Sequence, residues 1–549
     1  MRAGMWRRTT VAVTTAGLLL LSTASAFVVS ASSGTLTITK STTLTEDHGG
    51  NIVIATNNVT LDCAGHTIAG PGSGAGILLD GRSGVNVKNC HVTGFGDGIS
   101  VQAVAGRSSH NTLIANTVSD TAITGFLVIG SSSDMLAGNS SSGSGYWGFL
   151  VKSSTKETLV SNTATGAGYW GFGLESSPRN YLAHNTAMHN GTTGGGDGFF
   201  IDRSNANVLE QNTANSNGNP GADVDGIRLQ GSQDNVLRGN VAKGNASWGF
   251  MLNSYQGSAS GNMLTGNTAN GNAIIGFALN AATANTLSAN TADGNGQNGY
   301  DLNFASDSNT LRNNVSSNNG DNGFSANDSS NNTFIGNVAR NNANGFFTRN
   351  AAADVFTGNV AKDNGSGGGN GFVFLATSDL RVENNVAKGS PWACFGLYSG
   401  TTRATLVGNT ASGCSAGFDL NEGAHDNTLR GNTANDNNHD GVPGNGFSLE
   451  ATSANVLSDN TANGNNFGFN VNAYHSESGD VVIGATQNTL TRNTANRNAS
   501  FGIAVGDGAS ANTCSYNSAH QNGILDALQY GAGLGNVWVG NHFGTTDGF

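Results

Sequence analysis

Four charged side chains, Lys152, Glu175, Asp202 and Arg228, carry the residue types that polysaccharide chemistry requires. A polysaccharide lyase needs a base to take the proton beside a uronate carboxyl and a cation to neutralise that carboxyl, and Lys152 and Arg228 could fill those roles. Calcium on Asp197, Asp202 and Asp225 could supply the same neutralisation through oxygen ligands; no other cofactor is called for. A glycosidase needs two carboxyls instead. Glu175 and Asp202 on adjacent strands would stand about 5 Å apart, near the retaining separation. Glu175 counts against Lys152 as the base, because a neighbouring carboxylate favours the charged ammonium. Trp147, Tyr169, Trp170 and Trp248, which precede the same stretches, are of the kind that stack on sugar rings.

These residues converge only if the chain repeats, and it does. NMLTGNTANGNAIIGFALN at 262–280 returns as NTLSANTADGNGQNGYDLN at 285–303. An Asn column runs through Asn116, Asn139, Asn162, Asn185 and onward to Asn517 at a nearly constant step, and a Gly-aromatic column runs from Gly125-Phe126 to Gly468-Phe469. After each such Gly the alternation has period two, as in Gly276-Phe277-Ala278-Leu279-Asn280, so Phe and Leu face inward and the residues between them face out. No helical period competes. On that parity Lys152, Glu175 and Asp202 occupy one outward column on three consecutive coils, with Arg228 at the other outward site of the next.

Short strands between Asn and Gly corners predict a parallel coil stacked at strand spacing, about 20 coils and on the order of 95 Å long. Asn is expected to form the corners, since it tolerates the left-handed conformation and its amide can donate and accept between coils. A Thr column (Thr163, Thr186, Thr213, Thr268, Thr291) is read as inward-facing because Val241, Val315 and Val338 replace it, which argues against ice binding. From Asn185 through Asn212 and Asn240 to Asn267 the steps are longer than those before them, and longer corners build cleft walls. Against a site here, residues 152–228 are only mildly richer in charge than the chain's 11%, and such a row can be an ordinary cross-strand ion ladder.

Residues 1–26 read as a secretion signal: Arg2, Arg7 and Arg8, an apolar run through Leu18–Leu21, then Ala24-Ser25-Ala26. Residues 27–34 form a short linker and 35–549 one solenoid: a cap and first coils over 35–98, regular repeats over 99–520, a closing coil over 521–549. No later stretch is long and apolar enough to span a membrane. A net charge of −12 without a basic stripe argues against nucleic acid as a partner. The expectation is a monomer, secreted or periplasmic, whose partner is a polysaccharide or cell-surface glycan.

Val59-Thr60-Leu61-Asp62-Cys63-Ala64-Gly65-His66-Thr67-Ile68, then Gly76-Ile77 and Val85-Asn86-Val87-Lys88-Asn89, resembles the opening of secreted right-handed parallel β-helix proteins of the pectate-lyase-like superfamily. The repeat and the ending Gly535-Asn536-Val537-Trp538-Val539-Gly540-Asn541 are similar to its NosD-like branch. The resemblance implies an all-β solenoid and a choice among lyases, glycosidases, uronate epimerases and non-enzymatic binding proteins; the epimerase Asp-Pro-His motif is absent. Cys63 and Cys90 each follow a corner Asp or Asn on successive coils, so a disulfide between adjacent coils is expected. Cys394 and Cys414 are a looser pair, and Cys514, aligned with Leu490, is a buried apolar substitute. Met, His and Cys are scattered rather than grouped as copper would require. A second group, Asp419, Glu422, His439, Asp440, Glu450, Tyr474, His475 and Glu477, is read as solvated loop residues beside the largest insertion, which falls between Asn460 and Asn493. The functional expectation is a solenoid that binds, and could cleave, an extracellular polysaccharide, with a non-enzymatic binding or structural solenoid as the alternative.

Overall fold

Each coil contributes one strand to each of three parallel sheets, as Phe277–Asn280, Thr286–Ser288 and Thr291–Asp293 do in a representative turn. The structure is a computed structural model that describes residues 34–365, 368–439, 441–475, 481–531 and 533–548; the signal-like segment and most of the linker lie outside these. The first sheet, which carries the Gly-aromatic strands, has 22 strands among the described residues. Its register is a strict stack: Phe277 lies against Tyr300 and Asn280 against Asn303. The fold is the expected right-handed parallel β-helix of about 20 turns, and no helix occurs among the described residues.

Register dictates the core. Inward Phe rings on successive coils must sit one strand spacing apart, and Phe250, Phe277, Tyr300 and Phe324 stack with centroids 4.7, 4.9 and 4.7 Å apart. Leu and Ala from the other two sheets fill the remaining interior, as Leu287 and Ala292 do at full burial. Such a core is thin but continuous, so stability accrues coil by coil.

The Asn column bonds from coil to coil as expected, and it does so as a buried polar ladder. Asn290 donates its amide to the Leu264 carbonyl (2.9 Å) and to Asn314 Oδ1 (3.1 Å), while its own Oδ1 accepts from the backbone and side-chain amides of Asn267 (2.8 and 3.0 Å). The side chain is fully satisfied inside the solenoid, and only an amide, with donors and an acceptor on one short stem, can do this in every coil. The left-handed backbone falls on the residue before each Asn: Ala115, Ser161, Ala289 and Asn313 have φ of 53°, 57°, 53° and 53°. Glycine takes that place at Gly138, Gly266 and Gly336.

With Asn pointing in, parity turns the following residue out. Thr163, Thr186, Thr213, Thr268 and Thr291 are therefore half-buried surface residues, as are Val241, Val315 and Val338, and the neighbouring Ala164, Ala187, Ala214, Ala269 and Ala292 face the core. This corrects the inward reading of the Thr column: β-branched Val replaces Thr because both suit a pleated, half-buried surface. Cys63 and Cys90 are bonded, with Cα atoms 4.7 Å apart, and so are Cys394 and Cys414 at 5.6 Å. Cys514 is free and buried, and burial pushes its thiol up to about 12.

Candidate functional site

The outward face of the first sheet carries the candidate residues in the columns that alternation assigns. Lys152 lies against Glu175, and Glu175 against Asp202. Chemically the four charged residues are occupied. Lys152 Nζ meets Glu175 at 2.8 Å. Asp202 accepts from Arg203 Nε and Nη2 at 2.9 and 2.7 Å and from Gln230 at 3.2 Å. Arg228, only 17% exposed, inserts its Nε between Asp225 (2.8 Å) and Asp197 (3.4 Å), both fully buried. Burial opposes the charge of Arg228, and the two carboxylates outweigh it and hold the guanidinium protonated. Burial also raises Asp197 and Asp225, with Arg228 acting in the opposite direction.

Asp197, Asp202 and Asp225 therefore do not converge on a calcium site. A guanidinium stands between two of them and a second guanidinium takes the third, and no group of three or more His, Cys, Asp or Glu placed to hold a metal occurs among the described residues.

The aromatic residues divide into two places. Trp147, Trp170 and Phe200 form a stack, with centroids 4.2 Å apart for the first pair and 5.6 Å for the second. Tyr146 and Tyr169 stack beside it at 5.1 Å, and Tyr169 meets Trp170 at 5.3 Å. Trp147 is the buried base of this platform, 7% exposed, while Tyr146 is 48% exposed and Tyr169, Trp170 and Phe200 are half-exposed. Gly173 makes the arrangement possible, since a Cβ there would lie 2.1 Å from the Trp147 ring. Phe200 escaped the sequence reading, although its outward position after Gly198-Phe199 marks it. Trp248 stands apart, in a groove of about 600 Å³ with Arg228, Met251 and Tyr255, and its buried Nε1 has no hydrogen-bond partner.

The second group is more ordered than solvated loop residues would be. Tyr398 folds back over Gly396, where a Cβ would lie 2.4 Å from its ring, and donates its hydroxyl to Asp419 Oδ2 at 3.0 Å. Ser399 donates to Glu422 at 2.7 Å, and Asn421 donates to Glu450 at 3.3 Å. Burial pushes Asp419 up to about 6, the Tyr398 hydroxyl opposes this, and Glu450 and Glu422 add to it. The long step between Asn460 and Asn493 holds an antiparallel hairpin of Tyr474–His475 with Val481–Ile483, and a smaller hairpin pairs Asn438–His439 with Val442–Pro443. Asp440 and Glu477 lie outside the described residues.

The periplasmic alginate epimerase AlgG is a similar solved structure: 13% identity, 57% of this chain and 74% of that one covered, TM-score 0.33. A mannuronan C-5 epimerase A-module of Azotobacter vinelandii has 14% identity, 72% and 91% coverage and a TM-score of 0.30. Pectate lyase Pel9A has 19% identity, 51% and 70% coverage and a TM-score of 0.28. No curated protein matches the sequence. The family model described as periplasmic copper-binding protein (NosD) matches residues 50–225, 222–390 and 368–541, which together span nearly all of the coils, and the chain belongs to the NosD family.

Proposed function

We propose that this protein is an exported solenoid that binds an extracellular or periplasmic polysaccharide along the outward face of its first sheet, at the platform of Tyr146, Tyr169, Trp170 and Phe200. The observation that carries the reading is the platform itself: Tyr146, exposed, and Tyr169, Trp170 and Phe200, partly exposed, are held as one stack on a rigid sheet, with a glycine opposite Trp147 to admit the lowest ring. Large aromatic faces supply contact area at low entropic cost, and the adjoining Lys152 and Glu175 supply hydrogen-bonding groups for hydroxyls.

Between binding and cleavage, the geometry favours binding. A lyase base at Lys152 would first have to leave Glu175, and an acid or base at Asp202 would have to leave Arg203. Copper, which the family description names, does not fit the donors described. Four of the five cysteines are in disulfides, the fifth is buried, and Met135, Met188, Met251 and Met263 lie on three coils, with Met251 and Met263 in different sheets of one. The one close imidazole pair among the described residues, His520 Nε2 to His542 Nδ1 at 2.8 Å, brings only two nitrogens. No step is therefore derived through copper.

A panel of neutral and uronate polysaccharides, incubated with and without calcium, tests the reading. Retention without products is expected, and Trp170→Ala should weaken it by about tenfold or more. Absorbance from an unsaturated sugar would make the protein a lyase, and new reducing ends without that absorbance a hydrolase. Silence across the panel would leave a structural solenoid as the better account.

A further inference from the structure

The C-terminal half of the same face carries a second surface whose electrostatics differ in kind. Near the platform each of the four candidate charges has a partner of opposite sign. Asp419, Glu422 and Glu450 have only neutral partners, from Tyr398, Ser399 and Asn421, and none forms a salt bridge among the described residues. Like charges on neighbouring strands are destabilising, so carboxylates on adjacent coils without a cationic neighbour carry a cost that a cationic partner would offset.

Glu422 and Glu450 line a trough, with Asp419 behind the Tyr398 hydroxyl at its side. A cavity of about 340 Å³ runs from Phe347 past Trp392 and Tyr398 to Glu422. One of about 470 Å³ continues from Glu422 to Glu450 under the wall made by Tyr474 and Ile483. A third, of about 330 Å³, continues from Glu450 to Asp507 and Tyr530. Glu422 and Glu450 are each shared by two cavities, so the three lie in succession along the face. From strand Asn344–Arg349 to strand Leu525–Gln529 the trough crosses eight strands of the first sheet, roughly 34 Å at strand spacing. Among the described residues no Lys or Arg lines it, and Trp392, Tyr474 and Tyr530 expose 62%, 47% and 44% of their surface.

We propose that this trough binds a linear glycan bearing free amino groups, with the ammonium groups set between the carboxylates and the aromatic faces. Both features select the same ligand charge, since an ammonium is attracted to the negative face of Trp or Tyr as well as to a carboxylate. A polyuronate is repelled by the same row. An extended basic peptide fits less well, because nearly every strand of this sheet is already paired on both sides and offers no edge for strand addition. The trough is separate from the aromatic platform, and neither reading depends on the other.

Calorimetric titration of the full chain with a linear glucosamine oligomer, its fully N-acetylated counterpart and an oligolysine of matching charge tests the proposal. The glucosamine oligomer should bind, and N-acetylation should weaken it by about tenfold or more through loss of the charge. Binding should also fall as salt shortens the Debye length from about 10 Å at 0.1 M to about 3 Å at 1 M. Glu422→Gln with Glu450→Gln, and separately Trp392→Ala, should each reduce affinity by about tenfold or more, with circular dichroism confirming an intact solenoid. Trp170→Ala should leave this binding unchanged, which separates its failure from that of the platform. Equal affinity for the acetylated oligomer, oligolysine binding as tightly as the glycan, or no heat with any of the three would overturn the proposal.

Discussion

Glu157 stands where most coils place Asn, in the buried ladder that runs from Asn111 through Asp134 to Asn180, Asn207 and Asn235. It is fully buried, its Oε2 accepts the Asp134 amide at 2.6 Å, and its Oε1 has no partner. Burial pushes its carboxyl from 4.5 to about 9, the neighbouring Asp134 adds to this, and the Asp134 amide opposes it. The acid is thus neutral in the folded chain at neutral pH and ionised in the unfolded chain. Below the unfolded value both states hold the proton, so folding bears no cost there. As pH rises through 4.5 the unfolded chain loses its proton first, and stability falls until the folded carboxyl ionises near pH 9.

Glu157→Gln removes that dependence while keeping an acceptor for the Asp134 amide. At pH 7 the gap above the unfolded value is about 2.5 pH units, so the variant should be more stable than the natural protein by about 3 kcal/mol. At about pH 5 the difference should be under about 1 kcal/mol. Native-state hydrogen exchange of the amides in Met135–Ala137 and Thr158–Val160 is the assay, because a solenoid opens coil by coil and a global melt would average the effect. A difference that does not change between these two pH values, or a variant less stable at pH 7, would refute the reasoning.

Asn290→Ala deprives the buried amides of Asn267 of their acceptor and should cost about 2–5 kcal/mol, read as lost exchange protection in the adjoining coils; Thr286→Ala, at a partly exposed position on the same turn, should cost under about 0.5 kcal/mol. Gly173→Ala forces the Trp147 ring away and should cost about 1–3 kcal/mol, with glycan retention reduced alongside; unchanged near-ultraviolet dichroism would contradict it. Replacing Cys63 and Cys90 by Ser opens the loop between adjacent coils and should cost about 3 kcal/mol in chemical denaturation, while native Cys514 should resist alkylation until the chain unfolds.

The chain's order along its length was written in its sequence. A short, nearly constant period, Gly-Phe strands and an Asn column leave little but a stack of parallel coils, because period-two alternation of Phe and Leu yields an inward face only when each copy lies on the last. The same columns placed Cys63 opposite Cys90, Cys514 beside Leu490, and Lys152, Glu175 and Asp202 in one row, since parallel in-register stacking turns sequence position into spatial position. Parity at the corners was harder to read. Thr next to Asn is consistent with either face until the inward hydrogen bonds of Asn are known, and those bonds run between coils.

Across the coils, tertiary structure decided. The pairing of Cys394 with Cys414 depends on where a turn bends. Asp197, Asp202 and Asp225 looked like oxygen ligands, but Arg228 and Arg203 reach them because long side chains span neighbouring strands, and no column predicts which rotamer they take. Trp147 lies beneath Trp170 because Gly173 leaves room, and Tyr398 lies across Gly396 for the same reason. The middle of the trough along the C-terminal half depends on a hairpin inserted between regular coils, whose direction the repeat does not specify. Backbone register is a one-dimensional property that a repeat encodes directly, whereas charge pairing and cavities arise from side chains meeting across coils and insertions, which only the assembled solenoid brings together.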